Sequence, residues 1–129
     1  MPNAYAKPIA ALKRAVALRF RDRALRGKLP KDCGIYAVLR VTGPTSSLLY
    51  IGKAKDLQQR LYHNLLHGQL RSHTLSRKLL KAMKLGSKKS VERFLVKECA
   101  VRWVVEKDAK ERSYLEHFAI AYFRSPLND

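Results

Sequence analysis

The chain has 129 residues, which favours a single domain, since one hydrophobic core typically serves about 50 to 200 residues. Hydrophobic residues make up 47% of it, enough to build a core, so the composition excludes an intrinsically disordered protein. Twenty-seven Lys and Arg against ten Asp and Glu give a formal charge of +17, which predicts a polyanionic partner: nucleic acid first, an acidic membrane surface or an acidic protein second.

The N-terminal segment predicts a basic amphipathic helix over residues 10–26. Leu12, Val16 and Phe20 recur at four-residue intervals, and arginine and lysine fill much of the remainder. A glycine and a proline then end the helix. Two interpretations of its charge stay open: an arm that follows backbone phosphates, or a helix docked on the core whose charged face is solvated. Residues 1–32 are therefore predicted to form an N-terminal basic helical extension.

A β-hairpin is predicted next. The run GIYAVLRV, from Gly34 onward, is rich in β-branched and aromatic residues. The segment TGPTSS that follows is turn-forming, and LLYIG then resumes the strand pattern as far as Gly52. The two runs and the turn between them indicate two antiparallel strands that follow each other in the chain.

Four further helices and one more strand follow the hairpin. Asp56 lies where a helix can begin, and leucines at four-residue intervals line one face of the segment up to Gly68. Asp108 with Glu111 resembles a capping box that opens the last helix, which ends before Pro126. The other predicted elements are helices over 74–85 and 87–97 and a strand over 99–106. This order predicts an α+β fold: a small central three-stranded antiparallel sheet flanked by helices, with an extra N-terminal basic helix.

Cysteine usage and hydropathy predict the compartment. Cys33 and Cys99 lie far apart without CxxC spacing or clustered histidines, which argues against a disulfide framework and against a structural zinc site. No apolar run approaches the roughly 20 residues that span a bilayer, and the basic N-terminus lacks the apolar stretch of a signal sequence. These features predict a cytoplasmic protein without a membrane segment.

Two triplets in the predicted hairpin resemble the two halves of the motif that names the GIY-YIG nuclease family. GIY stands at residues 34–36 and YIG at residues 50–52, with Gly34 and Gly52 as the motif glycines. The segment YIGKAKDLQQR is also similar to the one that carries the essential arginine of this family, including the nuclease domain of bacterial excision-repair endonucleases. The similarity covers residues 33–129, which are therefore predicted to form the nuclease domain.

The resemblance implies a metal-dependent endonuclease that hydrolyses phosphodiester bonds of DNA at a single site. Tyr36 is expected to accept or relay the proton of the attacking water, and Tyr50 to orient that water or assist. Arg60 is expected to clamp the scissile phosphate through its planar fork. Lys53 matches a lysine seen in many members, and its charge, like that of Arg60, would lower the pKa of a neighbouring tyrosine.

The resemblance also implies one divalent cation, Mg²⁺ or Mn²⁺, held by Glu116 with water in the remaining positions. Asn128 is expected to steady the chain end or a metal-bound water. Many members carry a histidine or tyrosine one helical turn after the arginine, whereas Asn64 stands there in this chain. His63, just before it, is a candidate proton-transfer group or an exposed helix histidine, and which of the two residues faces the site stays open.

A basic stretch on and around the middle helices, which also contains His73, is predicted to hold the nucleic-acid backbone, with a solvated helix face as the alternative. Its predicted phosphate-contacting residues are Arg71, Arg77, Lys78, Lys81, Lys84, Lys88 and Lys89. The predicted partner is DNA ahead of RNA, and a homodimer or a partner protein is left open. The alternatives are a non-catalytic DNA- or RNA-binding module that retained the fold and a basic ribosome- or RNA-associated protein.

Overall fold

The computed structural model describes residues 3–128. Residues 1 and 2 of the predicted N-terminal extension and residue 129 of the predicted nuclease domain lie outside the described part. Four antiparallel strands form one sheet, in the order β1-β4-β2-β3. They are β1 (Leu18–Arg19), β2 (Gly34–Thr42), β3 (Thr45–Ala54) and β4 (Cys99–Val105). The predicted α+β class with a central three-stranded sheet is confirmed, and β1 adds a two-residue strand beside β4.

Five α-helices, a π-helix and a 3₁₀ turn surround the sheet in the described chain. The α-helices are α1 (Asn3–Arg14), α2 (Leu25–Lys28), α3 (Thr74–Ala82), α4 (Lys88–Glu98) and α5 (Ala109–Phe123), and between α2 and α3 lie the π-helix (Gln59–Leu66) and the 3₁₀ turn (Leu70–Ser72). Within residues 3–128 we find no helix with the length and apolar character that crossing a membrane requires.

The sheet separates two hydrophobic cores. Leucines of the π-helix, α3 and α4 pack on one face against Tyr36 and Val38 of β2. Residues of α1 and α5 pack on the other face against Ile35, Ala37 and Ile51. Because neighbouring strand residues point to opposite faces, the alternation in β2 supplies both cores from a single strand.

The predicted helix over residues 10–26 is wrong. The chain leaves α1 at Arg14, pairs as β1 with β4, and forms only the short α2 before β2. Leu12 is buried in the core under α1, whereas Phe20 is buried in the core on the opposite face. One helix stripe cannot serve both faces of a sheet, and the open edge of β4 therefore outweighs local helix propensity. The predicted boundary at residue 33 stays a prediction.

The hairpin is tighter than the predicted turn. Thr42 pairs with Thr45, so only two residues, Gly43 and Pro44, connect β2 to β3. Gly43 has a φ of +60°, a conformation that glycine adopts without steric cost. The predicted turn segment TGPTSS is therefore mostly strand, because threonine and serine pair along the exposed end of the ladder.

The helix predicted after Asp56 is present, but its main part is a π-helix. The N–H of His67 donates to the carbonyl of Tyr62, a span of five residues, at 3.1 Å. Leu57, Leu61 and Leu65 are fully buried at four-residue intervals. Since an α-helix has about 3.6 residues per turn, a wider turn keeps these three side chains better in line.

The last three helices differ from prediction only at their ends. α3 stops at Ala82 rather than Leu85, and α4 runs from Lys88 to Glu98 with the Ser87 side chain as its N-cap. At α5 the Asp108 carboxylate accepts the Glu111 N–H, as predicted. The reciprocal half of the predicted capping box is wrong, because the Asp108 N–H donates to Glu106 rather than to Glu111.

Candidate active site

The hairpin places the tyrosines of the two triplets side by side. Tyr36 and Tyr50 lie on the same face of the sheet, with ring centroids 6.4 Å apart. Gly52 lies opposite Tyr36 in the β2-β3 ladder, and a Cβ there would lie 2.3 Å from the Tyr36 hydroxyl. A Cβ at Gly34 would lie 2.2 Å from the Val104 carbonyl oxygen. Both motif glycines are therefore required by close approach.

Arg60 extends from the π-helix toward the tyrosine pair. Its Nη1 donates to the carbonyl of Ser72 at 3.1 Å, which ties the guanidinium to the 3₁₀ turn. Burial raises the pKa of Tyr36, as does the neighbouring Tyr50, while the positive charge of Arg60 lowers it. Burial likewise raises the pKa of Tyr50, and Arg60 again opposes this. The guanidinium therefore acts on both hydroxyl groups.

His73 is a site residue that the sequence assigned only to the basic stretch. Its side chain is 1% exposed, and its Nε2 lies 2.7 Å from the Tyr36 hydroxyl oxygen. The backbone N–H of Leu75 donates to its Nδ1 at 3.0 Å, so His73 is also the N-cap of α3. The one available signal was its position directly before the predicted helix at residue 74, although histidine is not a preferred cap residue.

The cap determines which ring nitrogen of His73 carries the proton. Nδ1 accepts the Leu75 N–H and cannot be a donor, so in the neutral ring the proton is on Nε2. Nε2–H therefore donates to the Tyr36 oxygen. Burial, helped by the charge of Arg60, lowers the pKa of His73 to about 3, which keeps the ring neutral at physiological pH.

Glu116 reaches the same site from α5. Its charge acts on the pKa of both Tyr36 and Tyr50, so the carboxylate lies within electrostatic reach of the two tyrosines. Burial raises the pKa of Glu116, and the charges of Lys53 and then His117 oppose this. The side chain is 15% exposed, and its one ion-pair contact within residues 3–128 is with His117 at 4.0 Å. This carboxylate is largely removed from water, and no lysine or arginine of residues 3–128 forms an ion pair with it.

Lys53 lies on β3 directly after the second triplet. Its side chain is exposed, and its Nζ donates to the Ser113 hydroxyl on α5 at 2.8 Å. This bond joins the end of β3 to the helix that carries Glu116. The ammonium therefore lies near the carboxylate, whose pKa it lowers.

Asn128 is committed to the backbone of β3. Its Oδ1 accepts the Ile51 N–H at 2.8 Å, and its Nδ2 donates to the Ile51 carbonyl at 2.7 Å. The N–H of Leu127 donates to the Leu49 carbonyl at 3.0 Å. The C-terminal tail thus pairs with the open edge of β3 on both sides of Tyr50. Of the two predicted roles of Asn128, this geometry favours steadying the chain end.

His63 and Asn64 make their described contacts within the π-helix. The His63 ring packs edge-on against Tyr62 with centroids 5.1 Å apart. The Asn64 Oδ1 accepts a hydrogen bond from Gln59 at 3.2 Å. Within residues 3–128 neither side chain makes a hydrogen bond or ring contact with the tyrosine pair, and the imidazole beside Tyr36 is that of His73. A role of His63 in proton transfer stays a prediction.

Solved structures of the N-terminal endonuclease domain of UvrC from Thermotoga maritima are similar to this chain. Three point mutants of that GIY-YIG domain, each bound to its catalytic divalent cation, superpose with a TM-score of 0.51 and 21% or 22% sequence identity. The alignments cover 84% of this chain and 98% of theirs. No protein-family model and no curated protein sequence matches the chain.

The chain has the GIY-YIG fold. The basic stretch of the chain divides into two kinds of residue. Lys88 donates to the carbonyls of Leu65 and Leu66 at 2.9 and 3.0 Å and so caps the end of the π-helix. Burial lowers the pKa of Lys88, which fits this partly enclosed position. Two of its three N–H donors are therefore used within the chain, and its predicted phosphate-contacting role stays a prediction.

The other residues of the basic stretch lie on or near α3 and at the start of α4. Arg71, Lys81, Lys84 and Lys89 are exposed. Lys78 and Lys81 line a groove of about 390 Å³ together with Pro126 and Leu127. Leu127 also donates its N–H to the carbonyl of Leu49, the residue before Tyr50, so the groove adjoins the tail that pairs with β3.

Proposed function

We propose that this chain is an endonuclease that uses a divalent cation to hydrolyse phosphodiester bonds of DNA at one site. The observation that carries the proposal is that Tyr36 lies within the electrostatic reach of both Arg60 and Glu116. Hydrolysis of a phosphodiester needs a proton acceptor, positive charge on the phosphate and a site for a cation. These three side chains, from β2, the π-helix and α5, can supply one requirement each.

Tyr36 is the proposed proton acceptor for the attacking water. The Nε2–H of His73 donates to its oxygen, and Arg60 adds positive charge, and both favour the phenolate over the phenol. A relay toward His73 is not supported, because its Nε2 already carries a proton and its Nδ1 is bound to Leu75. The geometry therefore supports acceptance rather than relay at Tyr36, with Tyr50 orienting the water.

Arg60 is the proposed clamp for the scissile phosphate. One of its nitrogens is tied to the Ser72 carbonyl, which holds the planar group in place and leaves further donors for phosphate oxygens. Lys53, exposed at the end of β3, adds a second positive charge on the side of Glu116. Together they would neutralise the phosphate that faces Tyr36.

The proposed cation is Mg²⁺ or Mn²⁺, and Glu116 would hold it. The fit rests on a carboxylate that is 15% exposed and forms no ion pair with a lysine or arginine of the described residues. Residues 3–128 contain no group of three or more His, Cys, Asp or Glu side chains that could hold a metal ion, so water and substrate phosphate would provide the other ligands. When bound, the cation stabilises negative charge on the leaving oxygen.

The proposed path of the DNA backbone follows the basic face of α3. The groove lined by Lys78 and Lys81 adjoins the C-terminal tail, which pairs with β3 beside Tyr50. Lys88 is left out of this path because its ammonium caps the π-helix. The proposed phosphate-contacting residues are therefore Arg71, Arg77, Lys78, Lys81, Lys84 and Lys89.

The experiment incubates plasmid, single-stranded and branched DNA with the purified protein and Mg²⁺ or Mn²⁺, beside Arg60→Ala and Glu116→Gln. We expect metal-dependent cutting that each substitution lowers by about a hundredfold or more. Equal cutting by all three proteins would identify a contaminant. DNA binding without cutting by the unchanged protein would favour a non-catalytic binding module, and tighter binding of structured RNA an RNA-associated protein.

A further inference from the structure

A cavity of about 250 Å³ lies beside the proposed active site, between the end of β3 and the first turns of α5. The described residues that line it are Lys53, Ala54, Lys55, Ala109, Arg112 and Ser113. Three of these are cations and none is a carboxylate. Since a water molecule occupies roughly 30 Å³ in the liquid, the cavity has room for a tetrahedral anion and its hydration.

Arg112 is the buried cation of this cavity. Its side chain is 6% exposed, and its Nη1 donates to the carbonyls of Glu106 and Lys107 at 3.0 and 3.4 Å. No carboxylate within residues 3–128 forms an ion pair with it. Arginine is rarely buried without a paired anion, because an uncompensated charge is costly to remove from water. An anion in the cavity would supply the missing charge.

Two lysines at the end of β3 add to the positive charge. Lys53 is on β3 and Lys55 directly follows its last residue, and both side chains line the cavity. Lys55 is exposed and makes no hydrogen bond or ion pair to any other residue of the described chain. An anion in the cavity would relieve the repulsion among these two ammonium groups and Arg112.

No carboxylate of the described residues lines the cavity or forms an ion pair with its cations. Glu106 accepts the backbone N–H of Asp108 at 3.1 Å, and Asp108 accepts that of Glu111 at 2.9 Å, so both are committed to the start of α5. Glu116, one turn beyond Arg112, is the ligand proposed for the cation. The cavity therefore stays a concentration of positive charge next to the proposed site.

We propose that this cavity binds a phosphate group of the nucleic-acid substrate other than the scissile one, an inference that rests on the proposed function. Lys53 belongs to both places, since it lines the cavity and lowers the pKa of Glu116. A phosphate held by Lys55 and Arg112 would therefore lie close to the bond that is cut. The group is an internal backbone phosphate or a terminal phosphate, which share this chemistry.

The first measurement is the salt dependence of DNA binding, in a Glu116→Gln background that blocks cutting. Lys55→Gln removes one cavity charge from an exposed position, and Lys97→Gln makes the same charge change at an exposed position on α4. We expect Lys55→Gln to lower the slope of log affinity against log salt by about 0.9 on duplex DNA, the value of one phosphate contact. Lys97→Gln leaves the slope unchanged. Equal slopes for the two variants would overturn the proposal.

The second measurement locates the phosphate on the strand. Single methylphosphonate linkages, which are neutral, are scanned along the DNA, and a 5′-phosphate is compared with a 5′-hydroxyl end. We expect one linkage, away from the bond that is cut, at which loss of the phosphate charge weakens DNA binding by the Glu116→Gln protein. The same linkage should not weaken DNA binding when the protein also carries Lys55→Gln. An internal position identifies a backbone phosphate and an end position a terminal one. If the loss of the phosphate charge and the Lys55→Gln substitution have additive effects on binding at every position, the cavity does not hold a phosphate.

These results separate the inference from the proposed function. If the protein cuts DNA with Mg²⁺ or Mn²⁺ but Lys55→Gln has no specific effect on binding, the proposed function holds and the phosphate site is wrong. If the protein binds DNA through Lys55 without cutting it, the phosphate site holds and the nuclease activity is wrong.

Discussion

At the scale of single residues, His73 has two roles that one substitution can separate. Its Nδ1 accepts the Leu75 N–H and caps α3, while its Nε2 donates to Tyr36. Asparagine is among the best N-cap residues, and its side chain is one bond too short to reach the Tyr36 oxygen as well. His73→Asn therefore keeps the cap and removes the donor to the proposed proton acceptor.

We expect His73→Asn to fold and to cut DNA at least about tenfold more slowly at neutral pH, since a lost hydrogen bond to a charged group costs about 1.5 kcal/mol or more. Without this donor the pKa of Tyr36 rises further, so the rate should recover partly as the pH increases. The measurement is the pH profile of single-turnover cutting. If the variant is slower but its cutting rate rises at the same pH as that of the unchanged protein, His73 has a purely structural role.

Gly52 offers a second test at this scale. Because a Cβ would lie 2.3 Å from the Tyr36 hydroxyl, we expect Gly52→Ala to displace the ring, to lower the free energy of unfolding by about 1 to 3 kcal/mol and to abolish cutting. Urea denaturation measures the first effect. Gly86→Ala is the matched control, since nothing lies within 4 Å of its Cβ position, and it should change stability by less than about 0.5 kcal/mol. Equal stability of the two variants would contradict the packing argument.

At the scale of elements, both edges of the sheet formed by the three long strands β2, β3 and β4 are covered by other segments of the chain. The two-residue β1 pairs with β4, and the C-terminal tail pairs with β3 through Leu127 and Asn128. An open edge exposes unpaired backbone groups, so covering it stabilises the strand and limits its movement. The tail does this at the two residues that flank Tyr50.

Asn128→Asp tests the role of the tail. An aspartate can still accept the Ile51 N–H but has no N–H for the Ile51 carbonyl, so two oxygens would face each other. We expect the free energy of unfolding to fall by about 1 to 3 kcal/mol, and cutting to weaken as Tyr50 loses its support. Asn64→Asp is the control, because Asn64 acts as an acceptor toward Gln59 and aspartate keeps that bond. A tail variant as stable as this control would contradict the assigned role.

At the scale of the whole molecule, the buried histidine makes stability depend on pH. The folded-state pKa of His73 is about 3, against about 6.5 in an unfolded chain. Between these values the unfolded chain binds one proton more than the folded chain, so the free energy of unfolding falls as the pH drops from 6.5 toward 3. Above pH 6.5 this group contributes no slope.

We expect the unchanged protein to lose up to about 1.4 kcal/mol per pH unit from this residue in that window. His73→Asn should lose less over the same interval, since asparagine does not titrate. Urea denaturation of both proteins at pH 7.5, 6.5 and 5.5 measures the difference. Parallel pH curves for the two proteins would mean that His73 accepts a proton in the folded state.

Local sequence patterns predicted much of this molecule. Alternation and composition identified β2, β3 and β4, and a capping residue identified the start of α5, because both signals lie within a few residues of chain. The two triplets led to the GIY-YIG fold. The N-terminal helix was predicted wrongly, because the choice of β1 depends on the open edge of β4, more than eighty residues away.

Residue types and their spacing determined that this protein is a basic α+β chain with one small sheet, and the resemblance carried by the two triplets pointed to two tyrosines, an arginine and a carboxylate for one site. Only the tertiary structure decided that His73 donates to Tyr36, that Lys88 caps a helix and that Arg112 is buried without an ion pair to any carboxylate of residues 3–128. The reason is physical. A side chain's role depends on the partners and the water that distant segments bring to it or remove from it, and a linear pattern records neither.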